Sequence, residues 1–236
     1  MELREKKQKR CQSHEMPEAG DMWDHTAVAA DSKLVVSLVV GKRTHEHTQV
    51  LVHDAQKRLR PGHLPVILTD AYVSYESAIL DAFGRRYPQP GRPSSVLVRW
   101  PQGLAYGQVK KIYAKGRVER VEVRVVRGKA RLNHVLYLLG YKQINTSVVE
   151  RHNGSSRLRN RRKVRKTLAF SKAPRYHRWM SWLSVGLYNF CRAHASLKKI
   201  QDTQVQHRSP AMAAKLTDHL WTIREWLLCP VIGGQG

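Results

Sequence analysis

From Arg151 to Lys199 the chain carries 14 Lys or Arg and no Asp or Glu. Such a segment cannot fold on internal ion pairs. Its like charges repel unless apolar packing or an anionic partner holds them together. Glu150 stands directly before it and is the only carboxylate between Glu122 and Asp202. The whole chain shares the bias, with 42 Lys plus Arg against 18 Asp plus Glu and a formal charge of +24 over 236 residues. A polyanion is therefore the implied partner, nucleic acid first and an anionic membrane surface second.

Hydrophobic residues make up 42% of the chain, which argues against disorder throughout and allows one large domain or two small ones. No run of 18 apolar residues occurs, so no spanning helix is expected, and "MELREKKQKRC" does not read as a secretory signal. Cys11, Cys191 and Cys229 lie far apart without a CxxC pair. They support neither a zinc ribbon nor a disulfide framework and fit a reducing cytosol.

The pattern along the chain predicts an α/β fold. Residues 1–20 read as a polar, exposed segment. "HTAVAAD", a turn at Asp31-Ser32-Lys33 and "LVVSLVV" read as two strands. Thr44 opens a helix through Val50, Leu51, Ala55 and Leu59, and "GHLPVILTD" is a buried strand ending at Asp70. "YVSYESAILDAF" follows as an amphipathic helix. Tyr87 to Ser95, rich in Pro and Gly, reads as a loop, and "SSVLVRW" and "GRVERVEVRVV" read as strands. Asn145, Thr146 and Ser147 are helix caps for a helix carrying Glu150. In "YHRWMSWLSVGLYNFCRAH", Trp179, Trp182, Leu183, Leu187 and Phe190 share a face expected to pack in the core. Ser209 and Pro210 open further helices at the end of the chain.

Two carboxylates stand out. Asp70 sits where an apolar strand stops, a position that suits either a site residue or a cap of the next helix. Glu150 has Asn153 three residues on and Arg157 seven residues on. At about 100° per residue these three line one helix face. A carboxylate among bases is either an ion-pair partner or a ligand for Mg²⁺ beside a phosphate backbone.

The segments "LTDAYVSYESAI", "NTSVVERHNGSSRLRNRRKVRKTLAFSK", "LYNFCRAHASL", "SPAMAAKLTDHLW" and "GDMWDHTAVAADSKLVVSLVVGKRT" resemble the catalytic half of insertion-sequence-one-type transposases. The resemblance runs from about Gly20 to Trp221, with an apparent insertion from Lys198 to Arg208. "NTSVVERHN" and "KTLAFSK" are its most specific pieces. It implies a ribonuclease-H-like mixed sheet flanked by helices over residues 21–195, with a helical C-terminal extension over 196–236. It also implies an Asp-Asp-Glu triad holding two Mg²⁺ (or Mn²⁺) ions, in which Asp70 is the second Asp and Glu150 the Glu. Arg157 would contact DNA, with Asn153, Arg159, Arg161, Arg162, Lys163, Arg165 and Lys166 on the same basic surface. The partner so implied is double-stranded DNA, as transposon ends and target, in a cytoplasmic, nucleoid-associated protein. A homo-oligomer and an upstream-frame product are compatible with it, and a membrane is not.

The chain departs from this family at its start. The family's Asp-Glu-x-Trp strand should precede "GDMWDHTAVAAD", but the preceding "MELREKKQKRC" contains no aspartate. Asp21, Asp24 and Asp31 are the nearby substitutes for the first Asp. Lack of a central first strand predicts marginal stability for the chain alone. A DNA-binding remnant without catalysis is the alternative function, and a basic RNA-binding protein of ribosomal type is a third reading.

Overall fold

The alternation of apolar side chains in two strands determines how the larger core is layered. In the computed structural model, which describes residues 21–89, 92–164, 168–169, 171, 173–201 and 204–229, the chain is mixed α/β. It begins with β1 (Trp23–Val28) and β2 (Val35–Gly41), a two-stranded sheet. Then come α1 (His45–Lys57), β3 (Val66–Asp70), α2 (Ser74–Phe83), β4 (Arg85–Gln89), β5 (Arg92–Arg99), β6 (Ala105–Ala114) and β7 (Arg117–Arg127). The remainder is α3 (Lys129–Leu138), α4 (Ser147–Arg159), α5 (Pro174–Gly186), β8 (Lys199–Gln201), β9 (Gln204–Gln206), α6 (Pro210–Ala213) and α7 (Ile223–Leu228). The expected polar segment 1–20 lies outside the described residues.

Two compact units result. One comprises Trp23–Ala27 and Val39–Asn153. Its sheet has the order β3-β6-β7, with β3 parallel and β7 antiparallel to β6. Side chains alternate across a strand, so Val66 and Leu68 of β3 join Ala105 and Val109 of β6 on one face. There they meet Leu132 and Leu136 of α3 and Ile144. Ile67 and Tyr106 point the other way, into a cluster with Val52 of α1 and Ala78 and Ile79 of α2. Gly107 allows the α3 side to pack closely, because a Cβ there would lie 2.8 Å from Ile144 Cδ1 and 3.1 Å from Leu132 Cδ1. β6 and β7 run on past the end of β3 and turn at Lys115 (φ 48°) and Gly116 (φ 76°), the two left-handed residues that a tight hairpin turn requires.

Of the described residues, the second unit comprises 21–22, Val28–Leu38 and those from Gly154 to Cys229. Its core is Val35 and Leu38 of β2 against Val185 of α5 and Tyr188. After Gly186 the helix widens into a π turn, Leu187–Cys191. Asn189, on that turn, is buried and treats β2 as a neighbouring strand would. Its Oδ1 accepts from Val35 N–H and its Nδ2 donates to Val35 C=O, both at 3.0 Å. The Tyr188 hydroxyl donates to Lys33 C=O (3.1 Å). Phe190 packs on Trp221, and the Trp226 indole occupies the space where a Cβ on Gly186 would fall.

Several expectations are corrected. Tyr87 to Ser95 is not a loop: β4 and β5 pair there as an antiparallel hairpin with an irregularity at Pro88/Gln89. A proline is tolerated at such an edge because its missing N–H faces no partner. Of the face expected to be core on α5 and the turn after it, Leu183, Leu187 and Phe190 are partly buried but the two indoles are not packed in. Trp179 and Trp182 are 61% and 41% exposed, whereas His177, Ser181 and Val185 are buried. The directional bonds from Tyr188 and Asn189 to residues 33–35 fix the helix rotation, and small side chains let it approach β2. The C-terminal extension is not wholly helical, since the 198–208 stretch contains the β8/β9 hairpin.

Candidate active site and nucleic-acid interface

Asp70 ends β3 at the mouth of the sheet. Its Oδ1 accepts from Tyr72 N–H (3.2 Å), and the cap position of α2 is Val73, with no side-chain bond. Asp70 is thus not the helix cap; it shapes the turn and leaves its other oxygen toward Arg43 Nη2 at 3.7 Å. Arg43 is held for this contact by two aromatic rings, Trp23 (5.3 Å) and Tyr72 (4.6 Å). The Tyr72 hydroxyl also donates to Arg43 C=O (2.9 Å). The carboxylate's field reaches Tyr75, whose hydroxyl is pushed up to about 12 by burial and then by the Asp70 charge. Behind Asp70, Thr69 and Gln108 both hydrogen-bond the Tyr106 hydroxyl, at 3.0 and 2.7 Å.

Glu150 lies in the first turn of α4, where a negative charge meets the positive end of the helix dipole. Arg157 and Arg159 occupy the last turn, also the favourable end for their sign. Gly154 does not break the helix. Lys111 Nζ donates to Glu150 Oε1 at 2.6 Å, and the Thr146 hydroxyl donates to the same oxygen. Burial opposes the charge on Glu150, but these two donors outweigh it and hold the carboxyl below its ordinary value.

The register of the sheet relates each acid to the same strand. Asp70 pairs with Val109, and Lys111 is two residues further along β6. One strand therefore flanks Asp70 and grips Glu150, although the two are 80 positions apart in sequence. Both carboxylates are about half exposed, at 58% and 48%, so solvent and a ligand can reach them. Arg43 and Lys111, the cations that face the two acids, are not singled out by the sequence pattern. The adjacent lysines of "QVKKIY" are the one available signal for Lys111, in a strand whose polar residues hide it.

Among the described residues no group of three or more His, Cys, Asp or Glu is placed to hold a metal ion. Asp21 precedes β1, Asp24 lies on it, and Asp31 bonds the neighbouring Ser32 N–H (2.7 Å) in the following turn. None completes a three-acid cluster with Asp70 and Glu150. Asp70 and Glu150 each offer oxygen donors, the kind that Mg²⁺ takes together with water and substrate phosphate.

The basic surface follows α4. Arg157, Arg159, Arg161 and Arg162 are exposed, and Asn153 Oδ1 accepts from Thr26 (3.4 Å). The Arg159 guanidinium lies over Tyr188 (5.3 Å), and Arg162 donates to Ser171 (3.1 Å), so both are oriented in advance. Asn160 caps the 3-10 turn Arg161–Lys163. Arg159, Asn160, Arg161 and Arg162 line an open cavity of about 480 Å³ with Met180 and Ser184. Lys163 differs from the expectation. It is 4% exposed, so its ammonium is not part of that surface. Arg165 and Lys166 lie outside the described residues.

No protein-family model, curated protein or solved structure matches this chain. Among the described residues no helix is long and apolar enough to cross a membrane.

The Glu150 environment sets a pH dependence. Its folded pKa is depressed, so the stability it contributes is present above the ordinary carboxylate range, about pH 4.3, and is lost as pH falls through the lower folded value. Thermal melts between about pH 5 and 3 should show this acid-side loss, and Lys111→Met should flatten it. An acid limb identical in the variant would contradict the assignment.

Proposed function

We propose that this chain is a DNA transposase of the insertion-sequence-one type, with a ribonuclease-H-like catalytic domain that cleaves a phosphodiester and transfers the 3′-hydroxyl end to target DNA. The observation that supports the reading is that one strand, β6, flanks Asp70 at Val109 and holds Glu150 through Lys111. When bound, Mg²⁺ or Mn²⁺ polarises phosphoryl oxygens and offsets the charge that develops in attack on phosphorus. Asp70 and Glu150 would hold the ion. Arg157, Arg159, Arg161 and Arg162 would hold the DNA backbone and orient it. In the protein itself Arg43 and Lys111 are the counter-ions that face Asp70 and Glu150.

A second reading, a remnant that grips DNA without cutting it, is favoured by one observation: no third acid joins the pair among the described residues. Thermal melts with and without millimolar Mg²⁺ separate the two. In metal-free buffer Asp70→Asn or Glu150→Gln should cost at most about 1 kcal/mol, since both ion pairs are exposed. With metal at about 100 times its Kd, the unsubstituted chain should gain about 2.7 kcal/mol, and each variant should lose most of that gain together with any metal-dependent strand cleavage. A melting temperature indifferent to metal, with no cleavage, would leave only the DNA-gripping reading.

A further inference from the structure

The outward face of α5 combines two exposed indoles with arginines. Arg175, Arg178, Trp179 and Trp182 fall within about 100° of the helix circumference, and Tyr176 flanks them. All five are exposed. The rings are organised. Tyr176 meets Trp179 edge-on, with centroids 5.5 Å apart, and Arg175 lies over the Tyr176 ring at 4.9 Å while donating to its hydroxyl. Side chains of this size are usually buried, and here the helix buries His177, Ser181 and Val185 instead.

We propose that this face is a stacking platform for the unpaired bases of single-stranded nucleic acid. Every base offers a π face, and indoles stack on it with little regard to sequence, while guanidiniums beside them take the phosphates. The charge of the face selects this occupant. α5 contains no Asp or Glu, so a second copy of the same surface would set Arg175 and Arg178 against their own kind. The exposed members are aromatic or basic and none is aliphatic, which gives a bilayer core little to bury. The proposal rests on the transposase reading only for the class of ligand. It adds the unpaired strand as the form recognised and places it on a helix other than α4.

The test uses the full chain and fluorescein-labelled probes, a single strand of about 20 nucleotides and the matching duplex, read by anisotropy. Trp179→Ala combined with Trp182→Ala should weaken single-strand binding by about tenfold or more while duplex affinity changes less than about twofold. The pair Trp179→Phe and Trp182→Phe keeps the rings and should retain most of the binding, which separates stacking from a damaged fold. Single-strand binding unchanged in the alanine pair, or a loss shared equally by the duplex, overturns the proposal. Tryptophan-dependent binding to phosphatidylserine vesicles without tryptophan-dependent single-strand binding overturns it in favour of a membrane surface. Tryptophan-dependent dimerisation in sedimentation, again without that binding, overturns it in favour of a second copy. A chain that binds duplex but no single strand defeats this proposal alone, whereas one that binds neither defeats the DNA reading with it.

Discussion

Asn189→Ala should lower unfolding stability by about 2–4 kcal/mol, among the largest losses available to a single change in this chain. Its amide satisfies both backbone groups of Val35 in a buried setting. Truncation leaves an N–H and a C=O without partners, each costing about 1–3 kcal/mol. For a chain of this size the melting temperature should fall by roughly 5–15 °C. Asn189→Asp retains an acceptor for the Val35 N–H but loses the donor and buries a charge, so it should do no better than Ala. Urea unfolding of both variants is the measurement. A loss below about 0.5 kcal/mol would mean that water replaces the amide at no penalty and that the amide does not fix α5 on β2.

The second large effect concerns DNA. Replacing Arg161 and Arg162 together with Ala should weaken duplex binding by about ten- to a hundredfold at roughly 50 mM salt, and flatten the log–log salt dependence by about 1.8, or 0.9 for each phosphate no longer neutralised. Lys163 is left in place because it is buried and its replacement would disturb folding as well as charge. Titrations of the unsubstituted chain and the double variant across a salt series give the slopes directly. Equal slopes would move the duplex-binding surface off the turn that follows α4.

Where local chemistry decides structure, the sequence is legible. Thr44 caps α1, with its hydroxyl accepting from His47 N–H (3.4 Å), and Ser209 caps α6 in the same way. β3 ends at Asp70, and α4 begins at Ser147 with Glu150 in its first turn. Those features depend on neighbours within a few residues. β6 is not legible, because "AYGQVKKIYA" is buried only in its first half, and its second half is a projecting ribbon whose polar residues mask the alternation. α3 escapes for a similar reason: only Leu132 and Leu136 are buried on an otherwise polar helix. The rotation of α5 is misjudged because counting apolar residues weighs indoles heavily, whereas hydrogen bonds to a strand distant in sequence settle which side faces inward. For the candidate site, the two acids stand out individually. Their cationic partners, Arg43 and Lys111, come from elements whose proximity only the fold establishes.

The bond between Asn189 and Val35 spans 154 positions of the chain. On a ribosome adding roughly 5–20 residues per second, about 8 to 30 s separate the making of β2 from the arrival of the amide that completes it. Throughout that interval an apolar strand, "VVSLVVG", waits with backbone groups unmet. The nascent chain therefore passes through a window in which another strand, or a chaperone, can take the place held for Asn189. Chains released early, before residue 189, never leave that window, and their aggregation should rise with the length of the pause and not with the stability of the finished fold.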